Sequence, residues 1–562
     1  MKRNICFYIL MLFSSQLLMA QTSMVSQLYL FSYLDNLNGK LMFFAADTVN
    51  PGDYELYTSD GTTGGTHRVK DINPGPAAGV LDGSLWAAPF HGNTPVIFNN
   101  KIYFLASDGI HGLEVWSSDG TDAGTTMLKD IYPGADGFTT PNLRYPYFCE
   151  LNGILYFAAN DGSHGFELWK TDGTTAGTVM VKDIAADAIY GSMPTELVNF
   201  NGSLYFSARD DNAGVEVFKS DGTANGTQVL KDVIPGLQGA TNDGYQESLQ
   251  THFKVSGNYL YFLARIDSTL PVITYLYRTD GTANGTIALD NSLENVSELT
   301  DFNGTLFFFS NDGVTLNSNI YKSDGTPSGT VYVPTNNTMR ATLNYFVHNG
   351  SLYFSGDQNN FTQFGLFKSD GTAAGTSLIY SLTGLSSIPE VTSFIGAGNS
   401  VFCRALTAVS ANQMDNRILQ SNGTTNGSHL YSGTSPFRAS TVMNGNFYFS
   451  GHDTSNTSVW GLYKIVPVIA STDMILPENA VTLFPNPNSG SFTLQMNELE
   501  NKKVKISFFN VFGQSVLENT YEDFQDIFSR QINLENCAPG IYLMTAESEG
   551  KKITKKFVIE NH

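Results

Sequence analysis

The octapeptide Ser220-Asp-Gly-Thr-Ala-Asn-Gly-Thr227 is a turn that recurs along most of this chain. Its successive aspartates, or the asparagine of the last copy, are 44 to 59 residues apart, on average about 52. A fixed period of this length indicates one supersecondary unit repeated in tandem. The other copies are Ser59–Thr66, Ser118–Thr125, Thr171–Thr178, Thr279–Thr286, Ser323–Thr330, Ser369–Thr376 and the degenerate Ser421–Ser428.

The unit around Asp221 contains four short apolar runs separated by turn residues. Asn201-Gly202 joins the first two runs, and Asn-Gly favours a type I′ hairpin because both central residues need positive φ. A polar stretch and the Asp-Gly-Thr turn separate the remaining runs, and aspartate and glycine are typical of such turns. We therefore predict four antiparallel strands, a to d, in meander order.

Strand b has large side chains on both faces, which decides the predicted architecture. Leu204 and Phe206 point one way and Tyr205 the other, and Tyr-Phe or Phe-Phe pairs return in later units. A sheet with one wet face would instead alternate apolar and polar residues. Four-stranded sheets packed between two neighbours predict an all-β fold with a large β-propeller of eight or nine blades. A β-solenoid is the weaker alternative, because its coils are about half as long.

The number of units differs between the two kinds of turn. Nine hairpins precede nine b strands, but only eight Asp-Gly-Thr-type turns follow, so the last unit lacks an outer strand. We expect Gln27–Phe31 to supply that strand and to close the ring. This interpretation predicts nine blades, and eight remains the alternative.

The N-terminal segment resembles an export signal. Met1–Ala20 has Lys2 and Arg3 before an apolar run, which predicts a secretory signal peptide cut between Ala20 and Gln21. The predicted domains are then the signal peptide at 1–20, the repeats at 21–466, a linker at 467–478 and a further domain at 479–562. No other stretch is long and apolar enough to span a bilayer.

Composition restricts the function further. The formal net charge is −21, of which the repeats carry about −19, so a nucleic-acid partner is disfavoured by repulsion from phosphates. After removal of the signal, Cys149, Cys403 and Cys537 remain, too few for a disulfide framework.

The repeats resemble the ELWxxDGT-repeat (hyalin-like) family of secreted bacterial proteins. Glu167-Leu-Trp-Lys-Thr-Asp-Gly-Thr174 carries the motif most fully, and the copies at Glu114 and Glu216 are close to it. Later copies lack the glutamate, and the eighth lacks the aspartate. The resemblance covers residues of about 40 to 430 and implies an extracellular propeller-like fold without a settled activity.

We interpret the repeated aspartates as structural turn residues. Each turn supplies one carboxylate, whereas calcium needs six to eight oxygens, so we expect no cofactor and keep calcium as the alternative. Glu114, Glu167 and Glu216 occupy the same position in successive units and do not converge, so we expect them to bond a neighbouring loop or blade. We find no catalytic motif and expect a non-enzyme. The turn residues are Asp60, Asp119, Asp172, Asp221, Asp280, Asp324 and Asp370.

The connectors between strand d and the next strand a vary in length and carry aromatic residues. Loops on a rigid scaffold often hold binding residues, and aromatic rings there suit sugars or proteins. The alternative is that these rings only cover the loops. The predicted ligand-binding residues are Trp86, Phe138, Tyr145, Tyr147, Tyr190 and Tyr245.

From Val481 onward the chain predicts a small all-β sandwich, with period-two strands separated by Pro, Asn and Gly turns. Phe484-Pro-Asn-Pro, Phe512-Gly-Gln, Pro539-Gly-Ile-Tyr and Lys555-Lys-Phe follow in order. This segment resembles the type A C-terminal sorting domain of the type IX secretion system. The resemblance implies passage through the periplasm and across the outer membrane, removal of the domain, and surface attachment or release.

The sequence therefore leaves three functions open. The first is a secreted or cell-surface propeller that binds glycans or proteins, with the type IX machinery as its export partner. The second is a polysaccharide-acting enzyme on the same scaffold, whose signature would be acid and base residues clustered on the connectors between strand d and the next strand a. The third is a purely structural surface component.

Overall fold

A computed structural model describes the chain in segments separated by short gaps. The described residues are 22–80, 95–134, 146–234, 252–265, 274–290, 293–311, 319–333, 340–358, 363–382, 390–410, 413–431, 434–453, 456–466, 481–486, 488–496, 504–510, 515–521, 528–534, 537–548 and 551–560. Contacts between Cα atoms divide the chain into two compact units, residues 1–467 and 468–562. The two units are described separately below.

The first unit is built from strands, as the all-β prediction requires, and its one helical turn is a 3₁₀ turn at Thr425–Gly427 among the described residues. Strands of its first half are β1 (Thr22–Gln27), β2 (Tyr29–Leu37), β3 (Lys40–Ala46), β4 (Glu55–Ser59), β5 (His67–Arg68), β6 (Val96–Phe98), β7 (Lys101–Ser107), β8 (Leu113–Ser118), β9 (Thr126–Met127), β10 (Cys149–Leu151), β11 (Ile154–Asn160), β12 (Phe166–Thr171), β13 (Val179–Lys182), β14 (Thr195–Phe200), β15 (Ser203–Asp210), β16 (Gly214–Ser220) and β17 (Gln228–Lys231).

The second half of this unit continues the same pattern. Its strands are β18 (Lys254–Ser256), β19 (Tyr259–Ala264), β20 (Tyr275–Thr279), β21 (Ile287–Asp290), β22 (Glu294–Phe302), β23 (Thr305–Asn311), β24 (Asn319–Ser323), β25 (Val331–Tyr332), β26 (Arg340–His348), β27 (Ser351–Gln358), β28 (Gln363–Ser369), β29 (Ser377–Leu382), β30 (Glu390–Ala397), β31 (Ser400–Ser410), β32 (Gln413–Ser421), β33 (Ser428–Leu430), β34 (Thr434–Met443), β35 (Asn446–Asp453) and β36 (Asn456–Ile465).

These strands form four-stranded antiparallel sheets, which we number sheet 1 to sheet 9 along the chain. Sheets 1 to 8 each contain four consecutive strands in meander order, beginning with β2–β5 and ending with β30–β33. Sheet 9 has the order β34-β35-β36-β1, so the first strand of the chain forms its outer edge. The meander order therefore agrees with the predicted a-to-d unit.

The outer strand of sheet 9 is not the one that the sequence analysis expected. Thr22–Gln27 pairs with β36, for example Met24 with Tyr463, whereas most of Gln27–Phe31 belongs to β2, the first strand of sheet 1. The expected segment is apolar enough for either position. The N-terminal end of the chain thus supplies the outer strand, but through the residues just before the expected segment.

The large side chains on both faces of strand b are buried between neighbouring sheets, as predicted. Leu204 and Phe206 of β15 are buried between sheets 3 and 4, and Tyr205 is buried between sheets 4 and 5. Burial on both faces of a central strand stabilises the fold by about 25 cal/mol for each Å² of apolar surface removed from water.

The buried clusters follow one another in a closed order. Each sheet from 1 to 8 shares a cluster with the next sheet. A ninth cluster contains Phe43 of sheet 1 together with Tyr448 and Val25 of sheet 9. The last sheet is therefore packed against the first.

The Asp-Gly-Thr turns contact the preceding sheet and form hydrogen bonds with it. In the turn at Asp221, the Oδ1 atom accepts hydrogen bonds from the Thr223 amide (2.9 Å) and hydroxyl (2.7 Å), which is an Asx turn. The Gly222 carbonyl accepts a bond from Lys170 Nζ of the preceding sheet (2.9 Å). The Tyr156 hydroxyl of that sheet lies against Gly222, and Tyr448 of sheet 9 lies against Gly61 of sheet 1 in the same way.

The second unit consists of two sheets that share one core. Its strands are β37 (Val481–Phe484), β38 (Ser491–Met496), β39 (Val504–Asn510), β40 (Ser515–Tyr521), β41 (Phe528–Asn533), β42 (Gly540–Ser548) and β43 (Lys551–Ile559). The sheets have the orders β37-β38-β41 and β40-β39-β42-β43. Phe492, Phe508 and Phe557 are fully buried between them.

Two remaining expectations concern cysteines and membrane segments. Cys149, Cys403 and Cys537 are free thiols, and Cys403 is buried. Among the described residues, no helix has the length and apolar character that a membrane crossing requires. The predicted signal peptide and its cleavage site at Ala20 lie outside the described residues.

Candidate central binding site

The first strands of several sheets contain an irregularity at the same place. In β14, β22, β26 and β30 the pairing with the next strand shifts a few residues before the hairpin turn, as in a β-bulge. Glu196, His252, Glu298 and Ser393 each lie five positions before the first residue of their hairpin turn and have φ values of 53°, 48°, 56° and 55°. A bulge re-aims side chains, so these positions no longer follow the alternation of the strand.

Three neighbouring sheets place Glu196, His252 and Glu298 around one cavity, to which the next sheet contributes Tyr345. The cavity has a volume of about 390 Å³, within the range of small-molecule sites. It lies where the first strands of sheets 4, 5, 6 and 7 meet. Its lining residues are Glu196, Leu197, Val198, His252, Phe253, Lys254, Ser297, Glu298, Leu299, Thr300 and Tyr345. We name this cavity the central pocket.

Tyr345 lines the central pocket, and its hydroxyl group has no hydrogen-bond partner. Its Oη atom is shielded from solvent and makes no hydrogen bond. The ring is held by Phe309, at 4.1 Å between ring centroids, and by Phe354, at 5.6 Å. Burial, and secondly the charge of Glu298, raise the pKa of Tyr345, so the hydroxyl stays protonated at neutral pH and is available as a donor.

The backbone of the central pocket is held in an uncommon conformation. Left-handed φ values at non-glycine residues cost about 1–3 kcal/mol each and persist where the surrounding structure imposes them. Here Glu196, His252 and Glu298 adopt such values in three successive sheets, and all three line the same cavity. The same conformation occurs at Tyr147 and Ser393, which do not line the cavity, so it is a feature of the repeat that positions these residues and does not by itself mark a functional site.

Of the six aromatic residues predicted to bind a ligand, the structure describes two. Trp86, Phe138, Tyr145 and Tyr245 lie outside the described residues. Tyr147 is half-buried and has a φ of 46°, five positions before its hairpin, like the residues of the central pocket. Tyr190 is half-buried against the core between sheets 2 and 3. Neither tyrosine lines the central pocket.

Sequence reasoning did not identify the residues of the central pocket. Glu196, His252, Glu298 and Tyr345 are absent from the predicted ligand-binding residues. One signal was present: polar residues stand at a constant distance before the hairpins at Asn201 and Asn303. That signal is visible only when the repeats are aligned on their hairpins.

The repeated glutamates hold the connectors, as the sequence analysis expected for a neighbouring loop. Glu167 is fully buried and accepts hydrogen bonds from the amides of Ile184 (3.0 Å), Ala185 (3.3 Å) and Ser192 (2.9 Å). Glu55 accepts from the amides of Ile72 and Asn73, Glu114 from Tyr132, and Glu216 from Ile234. These carboxylates therefore fix the start of each connector on its own sheet.

Burial shifts the ionisation of these glutamates. It raises the pKa of Glu55, Glu114 and Glu167 to about 7, from the ordinary value of 4.5, although the amide hydrogen bonds oppose the shift. In the folded protein each carboxyl group binds a proton more tightly than in the unfolded chain. Its stabilising contribution is present below the unfolded pKa and is lost as the pH rises through about 7.

We expect the melting temperature of the first unit to fall between pH 5 and pH 8. His111 and His164 contribute in the same direction, because hydrogen bonds to Asp108 and Asp161 raise the pKa of each imidazole. Glu167→Gln should therefore reduce the pH dependence without removing it. Differential scanning calorimetry of the wild type, of Glu167→Gln and of the exposed control Glu150→Gln would measure this. An unchanged slope in Glu167→Gln would contradict the assignment.

The seven turn aspartates all form the same local arrangement. Each accepts hydrogen bonds from the amide and hydroxyl of the threonine two residues later, as at Asp60 and Asp370. These bonds, the hydroxyl bond first, hold the pKa of each carboxyl below its usual value. The other members are Asp119, Asp172, Asp221, Asp280 and Asp324.

One cluster of three acidic residues is compact enough to be considered as a metal site. Asp53, Glu55 and Asp71 offer oxygens within 4.8 Å of one another, the one such group among the described residues. Arg68 Nη1 lies 3.1 Å from Asp53 and 3.4 Å from Asp71. Because the guanidinium already supplies positive charge there, we assign no metal to this group.

The second unit matches a known family. Residues 482–560 match the family model described as the secretion system C-terminal sorting domain. This match confirms the predicted type IX sorting domain. It implies export through the type IX machinery, interaction of this domain with that machinery, and a secreted or cell-surface location. A search of curated proteins finds no match to the chain.

Several solved structures resemble the chain at low identity. A mutant of puromycin hydrolase complexed with PGG is 12% identical, with 76% of this chain and 58% of that chain covered and a TM-score of 0.34. Oligopeptidase B from Leishmania major is 10% identical, covering 64% and 53%, with a TM-score of 0.35. The polysaccharide lyase Uly1 is 11% identical, covering 71% and 98%, with a TM-score of 0.31. The chain thus spans little more than half the length of the peptidases.

These resemblances correct one expectation of the sequence analysis. The prediction of a non-enzyme rested on missing motifs, whereas the similar solved structures include hydrolases and a lyase. Enzymatic activity therefore has to be tested and is no longer excluded. At these TM-scores and identities the resemblance assigns no reaction to this chain.

Proposed function

We propose that the mature protein is an extracellular nine-bladed β-propeller of the ELWxxDGT-repeat type that binds a glycan or protein ligand in its central pocket. In this proposal the sorting domain directs the protein through the periplasm and across the outer membrane, and the repeat unit carries the function at the cell surface or after release.

Three observations support the ring. Nine apolar clusters follow one another between neighbouring sheets, and the last joins sheet 9 to sheet 1. The N-terminal strand β1 completes sheet 9, which ties the two ends of the unit together. First strands from four sheets border one cavity, as expected of strands that converge on an axis. A closed ring also leaves only short edges, because strand d of each blade lies outside.

The central pocket is the observation that carries the binding proposal. Seven of its eleven lining residues are polar or ionisable and four are apolar, so several hydrogen-bonding groups lie beside apolar surface in one cavity. The aromatic residues predicted on the connectors, Trp86, Phe138, Tyr145, Tyr147, Tyr190 and Tyr245, remain part of the proposal as additional contacts for a large ligand.

A polysaccharide-acting enzyme is the second candidate. Glu196, His252, Glu298 and Tyr345 are four acid or base groups that line one cavity. The sequence analysis expected such a cluster on the connectors, whereas Glu196, Glu298 and Tyr345 lie on first strands. Glycoside hydrolysis by two carboxylates is one reaction that such a set can support.

One experiment tests both candidates. The mature secreted protein is screened against immobilised glycans and extracellular proteins, and each bound glycan is then incubated with the protein while reducing ends are measured. We expect saturable binding that is lost in Glu196→Gln/Glu298→Gln and retained in Tyr332→Phe, an exposed outer-strand control. Release of reducing ends by the wild type alone would favour the enzyme. Binding that is equal in all three proteins would reject the central pocket.

A further inference from the structure

The central pocket contains polar groups of opposite hydrogen-bonding character. Glu196 and Glu298 carry carboxylate acceptors, and Lys254 and Tyr345 carry N–H and O–H donors. A ligand that pairs with both the acceptors and the donors of the pocket must itself carry hydrogen-bond donors and acceptors close to one another. A hydroxyl group does both, whereas an ammonium only donates and a carboxylate or phosphate only accepts.

The unpaired hydroxyl of Tyr345 indicates where a ligand acceptor would bind. Its Oη atom is shielded from water without a hydrogen-bond partner, and the ring is fixed between Phe309 and Phe354. A buried donor without a partner is costly, so a ligand acceptor at this atom gains affinity. Glu298 lines the same cavity and acts electrostatically on this hydroxyl. A ligand hydroxyl could accept from Tyr345 and donate to a nearby carboxylate.

Charge and shape restrict the ligand further. The lining contains two glutamates and one lysine, so carboxyl groups outnumber ammonium groups there, and the repeats carry about −19 in total. Anionic ligands are therefore disfavoured. Leu197, Phe253 and Leu299 provide apolar surface for the carbon side of a ring, and about 390 Å³ is at the lower end of the range for ligand sites.

We propose that the central pocket binds an uncharged sugar ring, held through hydroxyl groups that pair with Tyr345 and the glutamates of sheets 4 and 6. This inference rests on the proposed binding function and adds the ligand class to it. The sugar is a terminal residue or a short branch of an extracellular glycan, because the volume does not accommodate a long chain.

The test uses the mature secreted protein and three probe sets: neutral oligosaccharides of glucose, galactose, mannose and xylose; uronic-acid oligosaccharides; and chitosan oligomers. Isothermal titration calorimetry at pH 7 measures affinity. We expect binding only in the neutral set, and a loss of about tenfold in Tyr345→Phe, which removes one hydroxyl without changing the ring. Tyr332→Phe should bind as the wild type does. Equal melting temperatures would exclude unfolding as the cause.

The outcomes separate the two proposals. Absence of any neutral-sugar binding, or binding that is unchanged in Tyr345→Phe, overturns the sugar assignment. If pocket variants then still abolish capture of a protein or of a charged glycan, the proposed binding function stands with a different ligand class. If no pocket variant changes any binding, both proposals fail.

Discussion

Removing residues 482–562 will abolish secretion and leave the protein in the periplasm. These residues include the matched sorting domain, whose core contains only side chains of the second unit. The deletion therefore removes no side chain from the nine clusters between the repeat sheets. Fractionation with immunoblotting would measure the loss, and limited proteolysis of the retained protein would test whether the repeat unit is folded.

A point substitution should reproduce this effect. Phe557 is fully buried, with ring centroids 4.9 Å from Phe492 and 5.9 Å from Phe508. Phe557→Asp places a charge in this core, and an unpaired buried charge is costly enough to unfold so small a domain. Thr520→Asp introduces the same side chain at an exposed position and should be secreted normally. Normal secretion of Phe557→Asp would contradict a requirement for the folded domain.

Gly222→Val will strongly destabilise the first unit. Gly222 has a φ of 87°, which a β-branched residue adopts at a cost of about 1–3 kcal/mol. A Cβ at this position would also overlap the Tyr156 hydroxyl of the preceding sheet, and the Gly222 carbonyl binds Lys170 of that sheet. The substitution thus strains the turn and separates two sheets, and we expect a total loss of about 3 kcal/mol or more.

Gly202→Val is the matched control for the strain alone. Gly202 also has a positive φ, 72°, but a Cβ there meets no atom within 4 Å. Its loss should be about 1–3 kcal/mol, smaller than that of Gly222→Val. Urea unfolding monitored by tyrosine and tryptophan fluorescence would compare them. Equal losses would show that the contact with Tyr156 contributes nothing, and Tyr156→Phe should partly rescue Gly222→Ala.

The sequence predicts the repeated unit well because its signals are local. Asn201-Gly202 adopts the two positive φ values of the predicted hairpin, and Asp221 forms the predicted Asx turn. The alternation of Leu204, Tyr205 and Phe206 correctly indicates a strand buried on both faces. Each of these features depends on residues within a few positions of one another.

The candidate site was not predictable in the same way. A bulge in β14 or β22 shifts the pairing, so the side-chain alternation read from the sequence no longer tells which residues reach the cavity. Most of the predicted aromatic contacts fall outside the described residues, and Tyr190 packs against a core instead. Loop length and composition indicated a face of the molecule but not a pocket.

The sequence by itself determined the four-stranded unit, its repetition and the sorting domain, because turn chemistry and apolar alternation act over a few residues. The tertiary structure alone decided that Thr22–Gln27, and not Gln27–Phe31, completes sheet 9 and that Glu196, His252, Glu298 and Tyr345 surround one cavity. Both outcomes depend on packing between sheets that are distant in the chain. That packing is set by the accumulated geometry of all the intervening sheets, which no local pattern encodes.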